Sequence, residues 1–93
     1  MRLATALERS APLAHLRRLL QESKQRFEVI RPHLPTALAA HVRPGPIDEN
    51  GWTLLAANPA VAAKLRQLQP RLEQALTAGG WQGNAIRVKV QTG

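Results

Sequence analysis

One stretch limits what this chain can become more than any other: Asn58 to Gly80, NPAVAAKLRQLQPRLEQALTAGG. Asn58 offers a side-chain oxygen to cap a helix, and Pro59 at the first helical position gives up only an N–H that has no partner within the helix. Val61, Leu65, Leu68, Leu72 and Leu76 follow at spacings of four, three, four and four, which is one apolar stripe on a helix. Lys64 and Arg71 flank the stripe on one side, Arg66 and Glu73 on the other. Gly79-Gly80 closes the element, since glycine enters the left-handed conformation at a helix C-terminus without a Cβ clash. Pro70 is the irregularity. It deletes a backbone hydrogen bond and crowds the preceding turn, at a cost of about 3 kcal/mol or more, so a kink, or two short collinear helices meeting near Gln69, is expected.

The remaining elements follow from periodicity and from the residues that interrupt it. Met1 to Arg9 carries a partial amphipathic pattern (Leu3, Ala6, Leu7) that is too short to hold itself, so residues 1–9 are expected to form a short or frayed segment ahead of a single domain over 10–91. Ser10 reads as an N-cap with Pro12 in the first turn. Leu13, Leu16, Leu19, Leu20 and Phe27 then mark an inward helical face through about residue 28, and Arg17, Arg18, Lys24 and Arg26 a basic solvent face. Arg31-Pro32 and Leu34-Pro35 break this helix, because the residue before proline is pushed out of helical dihedrals. Thr36 to His41 suits a short second helix. Val42 to Ile47 reads as a poor strand that Pro44 and Pro46 confine to an edge. Asp48-Glu49-Asn50-Gly51 is a turn containing the strongest short hairpin dipeptide, and Trp52 to Ala57 continues as a second strand. Trp81 to Asn84 is a tight loop, followed by the clearest strand, Ala85 to Gln91, where Ile86, Val88 and Val90 alternate with Arg87, Lys89 and Gln91. The order helix, short helix, strand, strand, long helix, strand makes an α+β fold with helices on one face of a small three-stranded sheet.

Composition narrows the function. The 93 residues suit one domain, with only Phe27, Trp52 and Trp81 as aromatics, so the core must be mostly aliphatic. The absence of cysteine excludes disulfides and thiolate zinc sites and fits a reducing cytoplasm. Residues 1–14 carry no apolar run of signal-peptide length, and no stretch approaches the roughly 20 apolar residues of a membrane span. His15, His33 and His41 are too scattered to ligate a metal, and Asp48 with Glu49 reads as a solvated turn, not a catalytic pair. Ser10 and Ser23 lack a His or Lys at a diagnostic spacing, and no phosphate-binding loop is present. Neither an enzyme nor a cofactor nor a small-molecule substrate is therefore expected. What remains is the net charge of +7, with seven Lys/Arg against three acids in residues 1–41 and six against three in residues 42–93. A field of that sign favours polyanions: nucleic acid, anionic membrane or an acidic protein patch.

LPTALAAHVRPGPI, then a turn and a short strand, then NPAVAAKLRQLQPRLEQAL and a terminal IRVKVQ, resembles the DciA family over Leu13 to Gln91. These are bacterial proteins implicated in loading the replicative DnaB-type helicase. The resemblance implies a KH-like fold, no enzymatic activity, contact with DNA and with the helicase, and a cytoplasmic, nucleoid-associated location. Two departures stand out. Val61 occupies a position that is often aromatic in such proteins, and members commonly carry a disordered partner-binding extension, whereas this sequence stops two residues after the expected last strand. That departure implies a domain that keeps DNA binding, or one of the two contacts, without the other.

KH domains usually grip nucleic acid with a Gly-x-x-Gly loop between two helices. Gly80-Trp81-Gln82-Gly83 has the letters but precedes a strand, so it reads as a plain helix-to-strand turn, with Trp81 folded back over the core in preference to stacking a base. The better candidates are Arg17, Arg18, Lys24 and Arg26 on the first helix, Lys64 and Arg71 on the long helix, and Arg87 and Lys89 on the last strand. They supply charge without base-specific geometry, so binding to single-stranded or forked DNA should be sequence-tolerant and strongly salt-dependent. Two alternatives stay open: a protein-interaction adaptor whose basic face meets an acidic partner, and an RNA-binding KH-like module with no helicase role.

Overall fold

The computed structural model describes residues 11–83 and 85–91; the expected segment 1–9 and the Ser10 cap lie outside the described residues. The elements are α1 (Ala11–Ile30), a 3-10 turn (Arg31–His33), α2 (Thr36–Ala39), β1 (Val42–Asp48), β2 (Gly51–Ala56), α3 (Pro59–Ala78) and β3 (Ile86–Val90). The order is the one the periodicity predicts. β2 is the central strand, antiparallel to β1 and parallel to β3, so α3 is the crossover that returns the chain to the same sheet.

β2 supplies the middle of the core. Trp52, Leu54 and Ala56 are fully buried on one sheet face, with Val42 of β1 and Ile86 of β3 beside them. Onto that face pack Ile30 and Leu34 from the first helical region and Val61, Ala62, Leu65, Leu72 and Leu76 from α3. This is the expected two-layer α+β arrangement, with the helices on one face.

α3 follows its sequence signals closely. Asn58 Oδ1 accepts from the Val61 N–H at 2.9 Å, the expected cap. At the other end Trp81 N–H donates to the Leu76 carbonyl and Gly80 N–H to the Thr77 carbonyl, both at 3.1 Å, the paired bonds of a Schellman motif. Only Gly80 is left-handed, at φ +88°; Gly79, at φ −80°, is not. Of the two forms expected around Pro70, the division into separate helices does not occur: α3 is one element from Pro59 to Ala78. Two of its side chains fix the start of β3. Glu73 Oε2 accepts from the Ile86 N–H at 2.8 Å, and Gln69 Nε2 donates to the Ile86 carbonyl.

α1 departs from expectation. Its C-terminal half is buried at Ser23, Arg26 and Ile30, whereas Leu13, Leu16 and Leu20 are 63, 51 and 53% exposed. The leucine face assigned inward therefore has no cover over its N-terminal half among the described residues. Arg26, assigned to the solvent face, is buried. Its Nη2 donates to the Gln82 carbonyl at 2.9 Å and lies 3.6 Å from Glu22, and its guanidinium stands 5.0 Å from the Trp81 ring centroid. Arg26 thus holds the α3–β3 loop, and Trp81 packs against the core as expected.

The β1–β2 pair explains Ser23. Register shifts by one residue between Pro44 and Ile47, a bulge at the proline-rich edge. Within it the Gly45 carbonyl accepts from the Ser23 hydroxyl at 2.6 Å, and Ser23 Oγ in turn accepts from the Trp52 indole N–H at 2.9 Å. A buried indole N–H and a carbonyl inside the bulge are satisfied by one hydroxyl. The hairpin also differs from expectation. Asp48 pairs with Gly51, so Glu49 and Asn50 form the loop, and no non-glycine residue among those described has positive φ. Gly51 is required for a different reason: at φ +129°, a Cβ there would stand 2.3 Å from the Ala85 carbonyl oxygen.

Candidate nucleic-acid interface

With the helices on one side, the other face of the sheet is open. Cross-strand register sets its side chains in rows: Arg43 of β1, Leu55 of β2 and Lys89 of β3 in one, Thr53 and Arg87 in the next, Asp48 and Gly51 in the last. Strand alternation puts all of these opposite to Trp52, Leu54 and Ala56. A shallow trough of about 710 Å³ runs along this face, lined among others by Thr53, Leu55, Arg87, Lys89 and Gln91.

The face carries Arg43, Arg87 and Lys89 against one acid, Asp48. Arg87 Nη2 contacts both Asp48 carboxylate oxygens, at 2.8 and 2.7 Å, across the width of the sheet. Arg43 and Lys89 form no ion pair among the described residues. The Asp48 carboxyl is held below its ordinary value chiefly by the Asn50 backbone N–H; desolvation opposes this, and the Arg87 guanidinium and the Gly51 N–H lower it further. Asp48 is therefore ionised at neutral pH and the pair is a true ion pair. None of the chain's three aromatics lies on this face. Trp52 points into the core, and Phe27 and Trp81 pack against the core on the helix side. The face can hold a phosphate backbone but has no platform on which bases could stack.

The eight cations expected to bind nucleic acid do not form one surface. Arg87 and Lys89 share the open sheet face, while Arg17, Arg18 and Lys24 are exposed on α1 and Lys64 and Arg71 on α3, in the helix layer. Arg18 donates to His15 Nδ1 at 3.0 Å, which leaves the His15 proton on Nε2 when the ring is neutral. Arg26 is internal. Arg43 was not singled out from sequence, although it is the outward residue between Val42 and Pro44 in a strand already assigned to the edge. Alternation alone, carried through the proline-rich strand, identifies it.

A mixed three-stranded sheet with helices on one face, in this order, defines a small KH-like α+β module with a cationic open face. Comparison with protein families agrees: the family described as Dna[CI] antecedent, DciA, matches residues 2–90, and the chain belongs to that family. The family is associated with loading of the DnaB helicase in DNA replication. A search of curated proteins found no match. No helix among the described residues is long and apolar enough to cross a membrane.

Proposed function

We propose that this chain is a non-enzymatic, DNA-binding accessory protein of bacterial replication that helps load or retain the DnaB-type helicase. The observation that carries this reading is the family match over nearly the whole chain, residues 2–90. The cationic faces support it, because exposed arginines and lysines on a rigid scaffold hold phosphates without reading bases. Such a protein works by binding energy alone: one surface retains the strand while another retains the helicase, and nucleotide hydrolysis belongs to the partner.

The test is loading of the cognate replicative helicase onto labelled single-stranded DNA with and without this protein. Stimulated loading is the expected result; intact DNA binding without stimulation would remove the helicase role. A second reading, a protein-interaction adaptor, is favoured by the exposed Leu13, Leu16 and Leu20. The salt dependence of DNA affinity separates the two. Phosphate contacts release counterions and give a steep slope, whereas an adaptor shows little DNA affinity at physiological salt. Competition between RNA and DNA strands of equal length decides between the two nucleic acids.

A further inference from the structure

Asp48 ends β1 and Arg87 is the second residue of β3, so their side chains meet over the central strand at the edge of the trough. The turn does not need this contact from Asp48. Its Oδ1 already accepts from the Asn50 N–H at 2.8 Å, which closes the hairpin. The contact with Arg87 is half in water, with the two side chains 48 and 49% exposed. Exposed ion pairs are worth little, so this one opens readily. Both Asp48 oxygens engage Nη2 alone. A phosphodiester group offers the same charge to the same donor, with two free oxygens for a guanidinium fork. Arg43 and Lys89 lie one row further along the same face, with no acid beside them among the described residues.

We propose that the open sheet face is where the phosphodiester backbone of single-stranded DNA lies, and that Asp48 is a built-in competitor that the backbone displaces from Arg87. This rests on the DNA-binding reading above. Asp48 lowers the affinity of the face for isolated phosphates and leaves the contact to a strand that also engages Arg43 and Lys89. The face then selects extended polyanions over small anions, because several weak contacts must form together to displace one intramolecular carboxylate. The plain alternative is a strut that ties the hairpin to β3 and has no part in binding.

Fluorescence anisotropy of a labelled oligothymidylate, titrated with the full chain, separates these. Asp48→Asn keeps the oxygen that caps the turn and removes the charge. It should bind roughly two- to fivefold tighter, the factor an exposed ion pair of that strength represents. The slope of log affinity on log salt should stay within about 0.7, one single-strand phosphate contact, of the parent's, because Arg87 meets the strand in both. Glu49→Gln changes net charge equally from the adjacent turn position and should gain less than twofold. In an Arg87→Gln background, itself weaker than the parent, the Asp48→Asn gain should vanish. Melting curves for every variant check that the fold survives substitution at these three exposed positions. A gain matched by Glu49→Gln, or one that persists without Arg87, overturns the competitor role. Equal, tight binding by all variants places the DNA elsewhere and overturns this face while leaving DNA binding standing. Failure of the parent chain to bind overturns both.

Discussion

α1 and α3 are each twenty residues long and each carries a leucine stripe at helical spacing, yet the stripes have opposite fates. Leu65, Leu72 and Leu76 of α3 are fully buried, whereas Leu13, Leu16 and Leu20 of α1 face solvent. The cause is topological. α3 joins two parallel neighbours: β2 runs into its capped N-terminus, and Gln69 and Glu73 further along bond the start of β3. Among the described residues α1 is anchored at one end only, where Ser23, Arg26 and Ile30 meet the sheet and the α3–β3 loop. Apolar period specifies a helix and a face; it does not specify what lies against that face.

The largest effect should come from the buried stripe. Leu65→Ala should destabilise the domain by about 2–5 kcal/mol, measured by urea unfolding followed through Trp52. A loss below 1 kcal/mol would mean that α3 is no better covered than α1 and would end the comparison. Next is the anchor of α1. Ser23→Ala strands the Trp52 indole N–H and the Gly45 carbonyl in the interior, and should cost about 1–3 kcal/mol. If it is silent, α1 does not depend on that hydroxyl. Leu16→Ala should change stability by no more than about 0.5 kcal/mol, as for any substitution on an uncovered surface. A core-sized loss would reveal a cover over the α1 stripe.

The smallest effect concerns Asp48. Its folded-state carboxyl titrates below the ordinary 3.8, so the unfolded chain takes up this proton first as pH falls. The contribution is fully present above that ordinary value and is lost as pH drops through the lower folded-state value. The melting temperatures of the parent and Asp48→Asn should therefore converge below about pH 3.8 and separate above it, with the parent higher. A difference independent of pH would assign the effect of Asn to the turn and not to the carboxylate.

Particular residues show where sequence reasoning reached its limit. Asn58 and Gly80 were legible because capping is local: the partner lies within one turn, at a fixed spacing. Pro44 and Pro46 announced an edge strand for a similar reason, since each removes a donor wherever it sits. Ser23, Gln69 and Glu73 were not legible as structural residues, because their partners lie 22, 17 and 13 positions away and only the assembled layers bring them together. Arg26 shows the same limit in reverse. Its place in the helical period suggested solvent, but the α3–β3 loop returns over it and supplies a carbonyl and an indole ring.

The sequence by itself determined the kinds and order of the elements, the aliphatic core, the cationic outer positions of β3 and the family. All of these are carried by neighbours a few residues apart or by the residue pattern of the whole chain. Tertiary structure alone decided which leucines are covered, that Arg26 is internal, and that Arg43, Asp48, Arg87 and Lys89 share one open face. These properties depend on contacts between residues far apart in the chain, and strand pairing creates them only when β2 takes its place between β1 and β3.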